Sequence, residues 1–217
     1  MAEDRKSQGR RKFVQNCVGL ASSAGVVGLL LAGYSKQSKA LPAWALRPPG
    51  ALAEEQFNAA CVRCGLCVRA CPFDMLHLAE LGQDITTGTP YFVARAKPCE
   101  MCKDIPCAAA CPTDALSKEL TDIRHASMGV AVLTGPDTCY AVARGTSCRA
   151  CYLACPVKDE AITMERRHSN GRYYFEPTVH PDKCTGCGKC EHNCVTQEAS
   201  IKVLPLPLAK HDPKAAR

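Results

Sequence analysis

The amino-acid sequence predicts an α+β protein composed of two small cysteine-rich domains, each built from two copies of a repeated unit. The 217-residue chain contains 17 Cys, far more than the composition of an average globular protein. Sixteen of them fall into four similarly spaced groups. Only 6% of the residues are aromatic, too few for these cysteines to be incidental members of a hydrophobic core. This composition excludes a disordered chain, a coiled coil and a multi-span membrane protein.

Residues 1–40 are predicted to be an export signal. They carry seven Lys/Arg and two acids, and residues 14–34 carry no charge. Ser38-Lys39-Ala40 offers the small-x-small pattern of a cleavage site. Arg10-Arg11, followed by Lys12-Phe13, resembles the twin-arginine motif. We therefore expect export to the periplasm by the twin-arginine translocase. The apolar stretch is about 20 residues long and could also act as an uncleaved anchor, which would hold the protein at the membrane face.

The remainder of the chain divides into repeats. Residues 41–56 are rich in Pro and Ala and are predicted to be a linker. The first repeated unit covers residues 57–95, the second and third cover 96–157, and the fourth covers 158–204, with a tail at 205–217. The cysteine groups are separated by 27, 27 and 28 residues, so the repeat spans most of the chain after the signal.

Each group contains four cysteines with nearly the same spacing. The first and fourth groups have gaps of two, two and three residues, the second has gaps of two, four and three, and the third has gaps of eight, two and three. Pro follows the last cysteine in three groups, and Val195 takes its place in the fourth. The groups are Cys61, Cys64, Cys67, Cys71; Cys99, Cys102, Cys107, Cys111; Cys139, Cys148, Cys151, Cys155; and Cys184, Cys187, Cys190, Cys194.

This spacing predicts sixteen iron ligands and four [4Fe–4S] clusters. In the C-x2-C-x2-C-x3-C-P run of bacterial two-cluster proteins, three thiolates bind one cluster and the fourth binds the other. Structural zinc sites use two separated C-x2-C knuckles or Cys with His, not three consecutive gaps of two, two and three. The six His fall outside the groups except His192, in the last gap of the fourth group. Disulfides suit an exported chain, but cysteines two residues apart are poorly placed to bridge each other. We therefore favour clusters over zinc or disulfides.

Short elements are predicted around the groups, each unit running as strand, cysteine loop, short helix and strand. Strands are expected at 91–94, 129–133, 161–164, 173–175 and 200–204, with helical turns after the fourth cysteine at 113–116 and 195–199. Two such units form one ferredoxin-like domain, so the fold class is α+β with two ferredoxin-like domains.

The pairing of the units has two solutions. The first unit can pair with the second and the third with the fourth, or the second and third can nest inside the first and fourth. Ile105-Pro106 and the run 129–132 resemble the nested iron–sulfur subunits of molybdoenzymes. We therefore expect nesting, in which Cys71 would ligate the cluster of Cys184, Cys187 and Cys190.

No substrate chemistry is predicted. No G-x-G-x-x-G follows a strand, and no catalytic residue, triad or nucleic-acid partner is indicated, which leaves an electron-transfer subunit without a substrate site. Residues 41–217 carry 20 Lys/Arg and 19 Asp/Glu. An oxidised cluster with four thiolates carries about −2, so the loaded chain would carry about −7. Basic residues near the cysteine groups are Arg63, Arg69, Lys103, Arg149, Lys158 and Lys189.

The chain resembles the NapG/MauM group of periplasmic ferredoxin-type proteins, and its NapG branch in particular. The resemblance rests on the twin-arginine segment, the run 88–95, Cys99-Glu100-Met101-Cys102, the stretched third group, the loop 184–190 and the run 201–206. It implies a quinol dehydrogenase component that works with a membrane iron–sulfur partner, NapH-like, and passes electrons toward periplasmic nitrate reductase or its cytochrome. A MauM-like role in methylamine utilisation and an iron–sulfur subunit of a molybdoenzyme remain alternatives.

Overall fold

The computed structural model describes Gly25, Gly28 and residues 41–169 and 171–211. The chain divides into two units, Met1–Lys39 and Ala40–Arg217. The predicted export signal and its twin-arginine motif therefore lie outside the described residues, apart from the two glycines. All sixteen grouped cysteines belong to the second unit.

Within the second unit, residues 41–125 form a first half that contains the first two cysteine groups. Cys61 directly follows helix α1 (Glu54–Ala60), helix α2 (Leu66–Ala70) carries Cys67, and helix α3 (Pro106–Ala109) carries Cys107. Strands β1 (His77–Leu78) and β2 (Pro90–Tyr91) pair antiparallel between the groups. Ala51, before the first group, forms an antiparallel bridge to Leu116, after the second, and a short 3₁₀ helix follows at Ile123–His125.

Residues 129–211 form a second half with the same plan. Strand β3 (Val130–Leu133) precedes the third group and pairs antiparallel with β6 (Ile201–Leu204), which follows the fourth. Between the groups lies the antiparallel hairpin of β4 (Ile162–Ser169) and β5 (Arg172–Val179). The helices of this half are α4 (Tyr140–Arg144), α5 (Ala150–Ala154), α6 (Lys189–His192) and α7 (Leu206–His211). In each half, the segment before its first cysteine group therefore pairs antiparallel with the segment after its second group.

The predicted linker at 41–56 is wrong for its central part, which is packed into the fold. Leu46 is fully buried and exchanges two backbone hydrogen bonds with Phe92, both 2.9 Å long. Arg47 is also buried; its guanidinium lies 2.6 Å from the Glu54 carboxylate and donates 2.8 Å bonds to Thr89 and to the Pro90 carbonyl. Ala is often fully buried in proteins, whereas Pro is mostly exposed, yet Pro48 and Pro49 are fully buried here. Composition alone therefore misrepresents this segment.

The prediction for the strands at 129–133, 161–164, 173–175 and 200–204 is confirmed, with shifts of a few residues. The expected strand at 91–94 is reduced to Pro90–Tyr91. The helical turns predicted after the fourth cysteine are wrong, because residues 113–116 and 195–199 form bends and an isolated bridge. The helices instead carry the third cysteine of each group and end just before the fourth.

Candidate functional site

The fold gathers the sixteen cysteines into four sites of four thiols. Each site takes the first three cysteines of one group and the fourth cysteine of another. Sites 1 to 3 line separate voids of about 340, 310 and 370 Å³, counting the part open to solvent. In site 4, charge on Cys184 or Cys187 would raise the pKa of both Cys155 and Cys190, which places these four thiols together. Site 1 is Cys61, Cys64, Cys67, Cys111; site 2 is Cys99, Cys102, Cys107, Cys71; site 3 is Cys139, Cys148, Cys151, Cys194; site 4 is Cys184, Cys187, Cys190, Cys155.

The nested pairing expected from the sequence is wrong. Cys71 lines the same void as Cys99, Cys102 and Cys107 and does not lie with the fourth group. The reason is the closure of each half on itself, since the Ala51 to Leu116 bridge and the β3–β6 pair join the ends of consecutive units. The exchange of fourth thiols therefore takes place within each half. The first group exchanges with the second, and the third group exchanges with the fourth.

Local backbone conformation turns the cysteine loops around each site. The residue two positions after the first cysteine has a left-handed conformation in three groups, at Arg63 (φ 59°), Met101 (φ 62°) and Gly186 (φ 72°). A single left-handed residue reverses the chain direction, so the first and second thiols can both point to one centre. Helices α2, α3, α5 and α6 then carry the third thiol on their first turns.

Burial dominates the electrostatics of most of the thiols. It raises the pKa of Cys67 to about 11 and those of Cys99, Cys107 and Cys151 to about 12. Cys155 is raised to about 11, and Cys184, Cys187 and Cys190 are also raised, each chiefly by burial. In the absence of iron these thiols are therefore neutral. Binding at these sites releases protons, because the ligand form is the thiolate.

Cys111 and Cys194, the last cysteines of the second and fourth groups, differ from the others. Burial acts to raise the pKa of Cys111, but hydrogen bonds from the N–H groups of Leu116, Thr113 and Ala115 lower it overall. Burial also acts to raise the pKa of Cys194, but hydrogen bonds lower it overall. The Thr196 hydroxyl lies 3.0 Å from the Cys194 sulfur, and the N–H groups of Thr196, Ser200 and Ile201 donate to the same sulfur. Most of these donors lie in the segments predicted to be helical, and Ser200 and Ile201 lie just beyond the second segment. Backbone groups turned toward sulfur are not available for helical bonds, which explains the incorrect prediction.

The four sites lie in the order 1, 2, 4, 3. Charge on Cys67 of site 1 would raise the pKa of Cys107 of site 2, so these two sites are neighbours. Between the halves, the Cys99 backbone N–H donates a 2.8 Å hydrogen bond to the Cys187 carbonyl, which places site 2 beside site 4. Charge on Cys151 of site 3 would likewise raise the pKa of Cys190 of site 4, so these sites are also neighbours. Spatial order thus differs from chain order.

Arg95 holds the backbone around Cys194 in place, a role that the sequence did not indicate. Its guanidinium donates to the carbonyls of Glu191, His192 and Cys194 at 2.7, 3.0 and 2.9 Å and to those of Thr196 and Gln197 at 2.9 and 3.3 Å. It therefore ties the end of the first half's 88–95 run to the backbone that bears Cys194. The run itself was visible in the sequence, but its partner about 100 residues away was not.

Comparison with known proteins gives the same division of the chain. The 4Fe-4S dicluster domain family matches residues 60–115, which contain the first and second cysteine groups, and residues 145–197, which contain the third and fourth groups except Cys139. The methylamine utilization ferredoxin-type protein MauM of Methylorubrum extorquens is 53% identical over 94% of this chain and 92% of its own length. The ferredoxin-type protein NapG of Haemophilus influenzae is 52% identical over 93% of this chain and 73% of its own length. NapG of Escherichia coli is 50% identical over 97% of this chain and 92% of its own length.

The chain belongs to the NapG/MauM family of ferredoxin-type proteins. The resemblance expected from the sequence is thereby confirmed, and so is a ferredoxin-type electron-transfer role. No solved structure matches the chain. The relatives of the two named types are similarly close, so the comparisons do not separate the NapG branch from the MauM branch.

The thiol sites of this NapG/MauM family member fit [4Fe–4S] clusters. Every site is an all-thiol set, sites 1 to 3 surround a void, and all sixteen cysteines are free of disulfides. Thiolate is the ligand that iron–sulfur clusters use. Within residues 41–169 and 171–211, no three His, Cys, Asp or Glu side chains meet closely enough to hold a single metal ion. The N–H groups aimed at Cys111 and Cys194 suit anionic sulfur.

Proposed function

We propose that the chain is a periplasmic electron carrier that holds four [4Fe–4S] clusters at sites 1 to 4, with the sixteen cysteines as ligands. When bound, these clusters supply one-electron redox chemistry. The observation that supports the proposal best is the single row of four thiol sites, joined in the middle by the Cys99 to Cys187 hydrogen bond. A row of sites suits a carrier that connects two partners.

Exposure along the row supports contact with partners at its two ends. In site 1, Cys64 is exposed, and in site 3, all four cysteines are half-buried. In the inner sites, Cys99 is 4% exposed, Cys107 6%, and Cys187 8%. A buried interior excludes water from the middle of the row. We infer that partners meet the protein at site 1 and site 3.

The identity of those partners is inferred from the family. The electron donor in our proposal is quinol, oxidised by a membrane iron–sulfur partner of NapH type, with release of two protons and two electrons per quinol. The acceptor is periplasmic nitrate reductase or its cytochrome, which consumes two electrons per nitrate. No helix within the described residues is both long and apolar enough to span a bilayer.

A second candidate function follows from the relatives of MauM type. The MauM of Methylorubrum extorquens is named for methylamine utilization, and it is as similar to this chain as the NapG proteins are. In that role the cysteine sites would be unchanged and only the partner would differ. The two candidates are separated by the growth condition in which loss of the chain has a phenotype.

The test is a deletion of the chain in its own host, with complementation by the intact gene. We expect quinol-dependent nitrate reduction to slow while dye-driven nitrate reductase activity is unchanged. Loss of the dye-driven activity as well would contradict the carrier role, because the reductase itself would then be defective. A growth defect on methylamine alone would support the second candidate. Purified protein should contain about sixteen iron atoms per chain, and a colourless zinc protein would refute the cofactor assignment.

A further inference from the structure

The β4–β5 hairpin has two chemically different faces. Side chains alternate between faces along a strand, and the cross-strand pairs Arg166–Phe175 and His168–Tyr173 lie in register on one face. Their contacts confirm this arrangement. The Arg166 guanidinium lies 4.0 Å from the Tyr173 ring centre, and the His168 and Tyr173 rings are 4.7 Å apart. Arg149 approaches the same face, 5.6 Å from the Phe175 ring centre. We call Arg149, Arg166, His168, Tyr173 and Phe175 the cationic strip.

The opposite face of the hairpin is electrically balanced. Arg167 pairs there with Glu165 at 2.6 Å and with Glu176 at 3.1 Å. These are the acidic residues of the two strands, so the cationic strip has none of its own. Among the described residues, no carboxylate lies within ion-pair distance of Arg149 or Arg166. Asp159, at the start of the hairpin, accepts a 2.6 Å hydrogen bond from Tyr152.

The cationic strip begins at site 3. Arg149 directly follows Cys148 in the chain. On the same face of β5, the residue after Phe175 is Pro177, which lines the void of site 3 together with Cys139, Cys148 and Cys151. Tyr173 is 62% exposed and Phe175 38% exposed. Exposed aromatics stacked with arginine are the residues most enriched at protein interfaces. The strip is therefore an exposed extension of one end of the row of sites.

We propose that the cationic strip is the docking surface for an acidic electron-transfer protein, which it places over site 3. This inference rests on the proposed function and adds which end of the row meets that partner and by which chemistry. A chain loaded with four clusters would be acidic as a whole, so it repels an acidic partner except at a cationic patch. Cations also flank site 1, at Arg63 and Arg69. The site 3 end is distinguished by Arg149 and Arg166, whose guanidinium groups stack on Phe175 and Tyr173 and are thereby kept in place.

The test uses plastocyanin, an acidic copper protein, as the probe partner and compares two matched double variants of the holoprotein. Arg149→Gln with Arg166→Gln removes two positive charges from the strip. Arg167→Gln with Arg172→Gln removes two from the other face. Reduced holoprotein gives one electron to each Cu(II) of plastocyanin, which becomes Cu(I). At low salt we expect the strip variant to react about ten-fold more slowly than the parent, the control variant to match the parent, and high salt to remove the difference.

Several results would overturn the proposal. Equal slowing in both double variants would indicate net charge alone, and no slowing in the strip variant would remove the strip from docking. Slowing with cytochrome c, a basic haem protein, would contradict electrostatic selection. Loss of binding to phosphatidylglycerol vesicles in the strip variant, with plastocyanin unaffected, would assign the strip to a membrane surface.

Two further measurements keep this inference distinct from the proposed function. Iron content and reducibility of the parent protein test whether the chain is an iron–sulfur carrier. Binding of reduced plastocyanin, followed by chemical-shift changes in the copper protein, needs no electron transfer and tests the strip directly. Weaker binding to the strip variant than to the control variant would support docking whatever the cluster content, and equal binding to both variants would refute it.

Discussion

Gly186 offers a direct test of how site 4 is built. A Cβ atom at this position would lie 2.3 Å from the Gly129 nitrogen and 2.5 Å from its carbonyl oxygen. Real Cβ atoms stay more than about 3 Å from other backbone atoms, because closer approach is repulsive. Gly186→Ala should therefore force the 184–190 loop away from the start of β3. We expect this substitution to destabilise the second half and open site 4.

The size of the effect has two parts. The left-handed conformation of Gly186 (φ 72°) costs an alanine about 1 kcal/mol. The backbone overlap adds about 3 kcal/mol, at the upper end of overpacking penalties. A total of about 4 kcal/mol corresponds to a fall of about 10 °C in the unfolding midpoint of a chain of this size. Arg63 and Met101 bear side chains at the equivalent left-handed positions, so the overlap is the larger part.

Gly145→Ala is the matched control. Gly145 is also left-handed (φ 63°), and no atom lies within 4 Å of its added Cβ. Thermal unfolding of both anaerobic holoproteins, followed by circular dichroism at one heating rate, should show a small decrease for Gly145→Ala and a large one for Gly186→Ala. Alkylation followed by peptide mass spectrometry should show Cys184 and Cys187 newly reactive only in the latter. Equal decreases in the two variants would refute the steric argument.

Three further predictions follow from named contacts. Cys71→Ala should expose Cys99, Cys102 and Cys107 to alkylation and leave Cys184, Cys187 and Cys190 protected; the reverse pattern would restore the nested pairing. Arg47→Leu leaves the part-buried Glu54 carboxylate without its cation and should lower the free energy of unfolding by about 3 kcal/mol. Thermal unfolding is compared with that of Arg124→Leu, which removes a surface ion pair, and similar losses in both variants would contradict the reasoning. Thr196→Val removes a hydroxyl 3.0 Å from the Cys194 sulfur, a loss of about 1 kcal/mol. In an electron paramagnetic resonance titration it should lower one reduction potential by about 40 mV. Thr113→Val, whose hydroxyl lies 3.9 Å from the Cys111 sulfur, should have a smaller effect, and equal shifts would exclude the hydroxyl as the cause.

Local chemistry was readable from the sequence. The spacing of the four cysteine groups predicted the repeated loops, because three thiols in one short loop can reach one centre whatever surrounds them. The β3, β4, β5 and β6 segments were recognisable because β-branched and aromatic residues are concentrated there. The segments after Cys111 and Cys194 were not, because their N–H groups turn to a sulfur atom, and residue type does not record such a bond. The burial of residues 45–49 was also hidden, since it depends on partners at Thr89, Pro90 and Phe92.

The sequence by itself determined that sixteen cysteines occur in four groups and that the chain belongs with the NapG/MauM ferredoxin-type proteins. Only the tertiary structure decided which groups exchange their fourth thiol and in what order the sites lie. Cysteine spacing is a property of one loop, and it is equally compatible with sequential and nested pairing. The choice is made by contacts between distant segments, namely the Ala51–Leu116 bridge, the β3–β6 pair and the Cys99 to Cys187 hydrogen bond.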